Sequence, residues 1–142
     1  MSAGDLGEAF ADGELIIREG EVGNCMYVVQ EGRVEVFVGS GDDEFRLNLL
    51  TPGAFFGEMA VFDRDVRSAS VRALGPARVL TVDKKNLMRR VHEDPSLAFR
   101  LVETMSYRIR TQTELILELE RILEKNNITA DLETYTVRNE PR

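Results

Sequence analysis

Short segments rich in β-branched and aromatic residues, separated by glycine-bearing turns, fill the chain as far as residue 82. Leu15–Ile17, Met26–Val29 and Val34–Val38 are three of them, and their spacing predicts seven or eight short strands in all. Ahead of these strands, residues 4–12 are expected to form a short amphipathic helical turn. Parallel strands need crossover helices, and none is predicted between these segments. The sequence therefore predicts a mainly β fold, a small antiparallel barrel or jelly roll with flanking helices.

Two helices are predicted after the last strand. Asp83 is suited to be the N-cap of residues 84–93, because its carboxylate can accept a hydrogen bond from a free amide in the first turn. Asp94 and Pro95 have the residue types that begin a second helix. The predicted organisation is one domain over residues 1–126, with strands over about 10–82, helices over about 83–93 and 95–126, and a polar tail or linker over 127–142.

The last predicted helix carries an apolar stripe with alternating spacings of four and three residues, which is typical of a coiled-coil seam. About 30 helical residues reach roughly 45 Å, longer than a barrel of this size. We expect packing on the barrel at the start of the helix and a homodimer through the rest. The alternative is that the whole stripe packs on its own barrel. The stripe consists of Ala98, Val102, Met105, Ile109, the single polar residue Gln112, Ile116, Leu119 and Leu123.

Composition argues against several classes of function. The net charge of −7 is opposite to that of most nucleic-acid binders, and no apolar run is long enough for membrane insertion. Cys25 is the single cysteine and has no internal disulfide partner, which fits a cytoplasmic protein. His92 is the single histidine, and no CxxC motif is present, so metal and His-dependent nucleophilic catalysis lack their side chains. We expect no enzyme activity and no catalytic cofactor.

One mostly apolar stretch, Phe55–Val71, contains a carboxylate, Glu58, and a guanidinium, Arg67, nine residues apart. Charged groups in such surroundings need a partner. Residues 58–62 after Gly57 predict a single helical turn whose free amides favour an anion. Arg67 suits a phosphate and Glu58 a hydroxyl, so the pair suits a sugar phosphate. The alternative is a Glu58–Arg67 salt bridge that ties a loop to the barrel.

Phe56–Ala60 followed by Arg67–Val71 resembles the phosphate-binding cassette of the cyclic nucleotide-binding domain family. That family includes catabolite activator proteins, the regulatory parts of cyclic-nucleotide-dependent kinases, and cyclic-nucleotide-gated channels. The turn at Leu50–Gly53 also matches, and the resemblance covers roughly residues 10–125. It implies that the predicted domain is an antiparallel β-roll with a short helix in the cassette and a long C-terminal helix.

The resemblance also implies roles for individual residues. Glu58 would hold the ribose 2′-hydroxyl and Arg67 the cyclic phosphate. Gln112 and Thr113 match two polar positions that read the base, from both subunits, in the bacterial transcription-factor branch. The implied ligand is cAMP, with cGMP also possible, and binding would be transmitted through the long helix at a dimer interface. The implied ligand-binding residues are Gly57, Glu58, Met59, Ala60, Arg67, Ser68, Ala69, Gln112 and Thr113.

Other interpretations stay open from the sequence. The domain could be a degenerate dimerisation or protein-interaction module that binds no nucleotide, with Arg67 paired to Glu58 or Asp65. A small barrel enzyme is a third reading, which the lack of metal ligands opposes. Residues 128–142 are too short for a helix-turn-helix domain. We therefore expect either a stand-alone sensor or a fragment of a longer protein.

Overall fold

The computed structural model describes residues 6–63 and 66–128. The described residues divide into two units at the boundary between Arg90 and Val91. The first unit contains the β-sheet, and the second consists mainly of one long helix. In chain order, the elements of the described residues are β1 (Glu8–Phe10), β2 (Leu15–Ile17), β3 (Cys25–Val38), β4 (Phe45–Leu50), β5 (Phe55–Phe56), α1 (Met59–Asp63), β6 (Ser70–Asp83), α2 (Lys84–Glu93) and α3 (Ser96–Lys125), with a 3-10 turn at Gly41–Asp43.

Two 14-residue strands, β3 and β6, form the centre of a fully antiparallel sheet with the order β1-β6-β3-β4. The short strand β2 also pairs with β6, and β5 pairs with β3. The two separate strands predicted at 26–29 and 34–38 are one continuous strand, because β6 pairs with both halves. Gly32 lies between the two halves, where the register with β6 is irregular: its φ is +76°, and a Cβ there would lie 2.2 Å from the carbonyl oxygen of Pro76. The mainly β, antiparallel fold class is confirmed.

The N-terminal helical turn predicted over residues 4–12 is wrong where the structure describes it. Glu8–Phe10 form strand β1, which pairs with Ala77–Val79 of β6. The edge of β6 offers this segment backbone partners, and such pairing outweighs a weak local helical pattern. The amide of Gly7 is held by the side chain of Gln30 at 2.7 Å. Residues 1–5 lie outside the described part of the chain.

One cluster of the core lies on one face of the β3–β6 ribbon. Val34 of β3 and Val79 of β6 have no exposed surface, and Ala73 is also buried. Phe56 and Leu50, from the two strands that flank β3, complete the same cluster. Alternate residues of a strand point to the same face, so this packing fixes which side chains of β3 and β6 face outward.

An ion network covers part of the opposite face of the ribbon. Glu35 is buried and accepts hydrogen bonds from Arg46 (Nε, 2.7 Å) and Arg72 (Nη2, 2.6 Å). Arg72 also donates to Glu44 at 2.9 Å and lies over the ring of Phe37. Burial alone would raise the pKa of the Glu35 carboxyl, but the hydrogen bonds from the two arginines hold that pKa below its ordinary value. This network was not predicted from the sequence, because Glu35, Arg46 and Arg72 come from three different strands.

The two helices begin near the predicted residues. The Asp83 carboxylate accepts a hydrogen bond from the amide of Asn86 at 2.8 Å, so the predicted cap of α2 is confirmed. α3 spans Ser96–Lys125, and none of its residues is buried. Within residues 6–63 and 66–128, no helix is both long and apolar enough to cross a bilayer.

Candidate functional site

A sharp turn at Gly57 joins β5 to the short helix α1. Phe56 pairs with Tyr27 of β3, and the next residue, Gly57, has a positive φ of +73°, which favours glycine. The turn is closed by hydrogen bonds from the Ala60 amide to the Gly57 carbonyl, at 3.3 Å, and from the Val61 amide to the Glu58 carbonyl, at 3.0 Å. Ala60 and Val61 are buried, so α1 is fixed against the first unit by one apolar face.

Arg67 is held at both its main chain and its side chain. Its amide donates to the carbonyl of Glu21 at 2.7 Å. Arg67 as a residue is 9% exposed, and its guanidinium donates from Nη1 to the carbonyl of Gly57 and from Nη2 to the carbonyl of Cys25, both at 2.8 Å. The guanidinium is thereby tied to the residue that directly precedes Glu58.

Two glycines leave the space that the guanidinium fills. A Cβ on Gly23 would lie 2.2 Å from Nε of Arg67, and a Cβ on Gly57 would lie 2.6 Å from Nη1. Either distance is far below a van der Waals contact. Gly23 was not predicted to have a role in this site, and the structure places it against Arg67.

Tyr27 forms an aromatic wall beside the same arginine. Its ring stacks on Phe56 with centroids 5.2 Å apart, and the Arg67 Cζ lies 5.7 Å from the Tyr27 centroid. The pKa of Tyr27 is raised to about 12. Burial of the phenol is the largest cause, and the neighbouring Cys25 side chain is the next. A phenol is neutral at physiological pH even with its ordinary pKa, so Tyr27 adds no negative charge beside the guanidinium.

The remaining predicted residues of the cassette lie close by in sequence but differ in exposure. Glu58 and Ala69 are half-buried, while Met59 and Ser68 are exposed. The acceptors that hold the Arg67 side chain include the main-chain carbonyls of Gly57 and Cys25 and, at 3.9 Å, the sulfur of Cys25. Asp65, one of the internal partners considered from the sequence, lies outside the described residues.

Gln112 and Thr113, the predicted base-reading pair, belong to α3 in the second unit. Both are exposed. The hydroxyl of Thr113 donates to the carbonyl of Ile109 at 2.9 Å, which fixes the side chain against its own helix. Their part in a site stays a prediction.

Three residues of this site were not predicted as functional: Gly23, Cys25 and Tyr27. Cys25 and Tyr27 are two apart on β3, so a strand places them on the same face. That alternation was visible in the sequence. What the sequence lacked was the pairing that brings this face of β3 to Arg67, about 40 residues away.

The geometry suits an anion better than a metal. A guanidinium has five N–H donors, and the contacts to two carbonyls and to the sulfur of Cys25 do not use all of them, so N–H groups remain for the oxygens of a ligand. Neutral carbonyls orient the group without cancelling its charge. Among the described residues, no cluster of three His, Cys, Asp or Glu side chains is placed to hold a metal ion.

Comparison with known proteins identifies the class to which this fold and site belong. The sequence model described as "Cyclic nucleotide-binding domain" matches residues 8–94, which is more than half of the chain. The chain belongs to the cyclic nucleotide-binding domain family. The resemblance inferred from the cassette residues is confirmed.

Individual relatives agree with this assignment. The cyclic AMP receptor protein of Thermus thermophilus is 31% identical over 122 residues, which is 85% of this chain and 56% of that protein. The potassium/sodium hyperpolarization-activated cyclic nucleotide-gated channel 2 of Mus musculus is 36% identical over 121 residues, 85% of this chain but 12% of the channel. The chain therefore spans only part of the length of these curated relatives.

Solved structures give the same result. The crystal structure of the Thermus thermophilus catabolite activator protein matches with a TM-score of 0.69 and 31% identity, over 79% of this chain and 53% of that one. The EAL enzyme Bd1971 in its cAMP-bound form matches with a TM-score of 0.55 and 32% identity, over 82% of this chain and 32% of the enzyme. A cGMP-bound form of the same enzyme matches similarly, with a TM-score of 0.56.

Proposed function

We propose that this protein is a cyclic-nucleotide sensor that binds cAMP or cGMP in the cassette formed by residues 56–71. The observation that carries the proposal is the immobilised guanidinium of Arg67, bonded to Gly57 at the entrance to α1. In this proposal Arg67 binds the cyclic phosphate together with the amides around Gly57, Met59 and Ala60 and with Ser68 and Ala69. Glu58 accepts a hydrogen bond from the ribose 2′-hydroxyl.

One structural relative, solved in two ligand-bound forms, supports the choice of ligand. The EAL enzyme Bd1971 was solved in cAMP-bound and cGMP-bound forms, and both match this chain at more than 30% identity. The comparison favours a cyclic purine nucleotide and does not separate adenine from guanine. We infer cAMP as the main ligand and keep cGMP as the second.

Transmission of the signal is assigned to α3. Its stripe leaves Val102, Ile109, Ile116 and Leu119 about half exposed or more. Apolar surface of this extent on a helix is usually covered by a partner. We propose that two copies associate in parallel through these stripes, and that Gln112 and Thr113 meet the base at that interface. A ligand that binds two helix arrangements with different affinity then shifts the balance between them.

Isothermal titration calorimetry of the full chain with cAMP and cGMP tests the proposal. The protein is first freed of copurified nucleotide by unfolding and refolding, and its return to the folded state is checked by circular dichroism. We expect saturable heat with at least one cyclic nucleotide and none with 5′-AMP or 5′-GMP at the same concentration. The absence of heat with both cyclic nucleotides would contradict the proposal and favour an interaction module that binds no nucleotide.

A further inference from the structure

We propose that Gly23 is a positioning residue for Arg67, because its missing side chain provides the space in which the guanidinium lies. The inference rests on the proposed function, in which Arg67 binds the cyclic phosphate. An ideal Cβ on Gly23 would lie 2.2 Å from Nε, 2.3 Å from Cζ and 2.5 Å from Nη2 of Arg67. Three atoms of the guanidinium group therefore lie directly against the Cα of Gly23.

Backbone conformation does not explain the glycine at this position. Gly20, in the same turn, has a φ of +88°, and Gly57 has a φ of +73°, both in the region that other residues avoid. Gly23 has no positive φ, so alanine is conformationally allowed there. What excludes a side chain at position 23 is its contact with Arg67.

The arginine, rather than the loop, is expected to yield to a larger residue. The three atoms nearest to a Cβ on Gly23 all belong to the end of the Arg67 side chain, which is long and rotatable. Moving the guanidinium away relieves the overlap without shifting β3. The same movement breaks the 2.8 Å hydrogen bonds to the carbonyls of Gly57 and Cys25. Gly23→Ala should therefore change ligand affinity much more than it changes the fold.

Calorimetry on the full chain with cAMP and with cGMP provides the first test. Misplacing one charge-assisted hydrogen-bonding group should weaken binding by Gly23→Ala roughly tenfold to a hundredfold. The matched control is Gly41→Ala at the tip of the β3–β4 hairpin, where φ is +59° and a Cβ would meet nothing within 4 Å. That control strains the backbone without touching Arg67, so we expect its affinity to equal that of the wild type.

A double-mutant cycle separates positioning of Arg67 from a general effect on the loop. In an Arg67→Ala background, Gly23→Ala should weaken binding no further, because the group that it displaces is gone. Equal losses in both backgrounds would overturn the inference. Unchanged affinity of the Gly23→Ala variant would also overturn the inference. Failure of that variant to fold would overturn it too, because the loop, rather than the Arg67 side chain, would then have been displaced by the added methyl group.

A spectroscopic readout keeps this inference distinct from the proposed function. The Nε–H resonance of Arg67 in a ¹H–¹⁵N spectrum is assigned by its loss in Arg67→Lys. Gly23→Ala should shift that resonance or broaden it with no nucleotide present, while Gly41→Ala leaves it in place. An unshifted resonance overturns the positioning role, even if nucleotide binds. A shifted resonance in a protein that binds neither nucleotide supports the positioning role and contradicts the proposed function.

Discussion

Single residues of the site combine charge with a fixed orientation. Arg67 is oriented by two main-chain carbonyls, and neutral acceptors of this kind leave the positive charge available to a ligand. The ring of Tyr27 lies beside the Arg67 guanidinium, and its neutral phenol does not compete with a phosphate for that charge. The arginine is thus prepared before a ligand arrives, which reduces the entropy lost on binding.

Replacing Arg67 by alanine should abolish most nucleotide binding. Loss of a charge-assisted pair in a largely buried site costs about 2–5 kcal/mol of binding free energy. The control is Arg18→Ala. The Arg18 side chain is exposed, and so is that of its partner Glu21, whose carboxylate lies 3.4 Å from Nε of Arg18. Titration calorimetry with cAMP compares both variants with the wild type. An Arg67→Ala protein of unchanged affinity would show that the cassette is not the binding site.

Glu35 should make the fold sensitive to acid. Its pKa is lowered in the folded state, so it stabilises the fold above its ordinary pKa, and this contribution is lost as the pH falls through the lowered value. Glu35→Gln should lower the free energy of unfolding by about 1–3 kcal/mol at pH 7 and flatten its decline on acidification. Urea unfolding between pH 7 and pH 3 measures both effects.

The matched control for this experiment is Glu31→Gln. The Glu31 carboxylate is 72% exposed and lies 3.8 Å from Arg78, so its loss should change the free energy of unfolding by less than about 1 kcal/mol. Equal effects of the two substitutions at pH 7 would contradict the assigned role of the buried network.

At the scale of elements, the long helix α3 presents an apolar stripe that needs a partner. A lysine placed in such a seam buries an unpaired charge, which strongly disfavours association. Ile109→Lys should therefore convert a dimer into a monomer at tens of micromolar, as measured by sedimentation velocity. Glu114→Lys adds the same side chain on the opposite face and should leave the dimer intact. A wild-type monomer under these conditions would contradict the proposed interface.

Sequence patterns predicted elements better than their pairing. The strand-rich first part, the cap at Asp83 and the long helix were each visible locally, since they depend on residue type and spacing. The irregular pairing around Gly32 was interpreted as a strand end, because the sequence does not reveal that Pro76 lies against this glycine. The cassette was predicted because its residues are close together in the sequence. The role of Gly23 was not, because it depends on a contact between segments about 40 residues apart.

At the scale of the whole molecule, ligand binding and stability are linked. A ligand that binds only the folded protein stabilises it by about 2.7 kcal/mol when present at one hundred times its dissociation constant. For a chain of this size, that corresponds to a rise in melting temperature of roughly 5–10 °C. Differential scanning fluorimetry should show this rise with cAMP or cGMP and not with 5′-AMP. An equal rise in Arg67→Ala would mean that the nucleotide binds elsewhere.

The pairing of β6 also dictates when this protein can fold during its synthesis. β6 is the last strand among the described residues, yet it pairs with β1, β2 and most of β3. While earlier residues leave the ribosome, the pairing available among the described strands is that of β3 with β4 and β5. The apolar face of β3 thus stays open in the nascent chain, where chaperones can bind it. We therefore expect β3 to become resistant to proteolysis in a single step, once Asp83 has left the ribosomal exit tunnel.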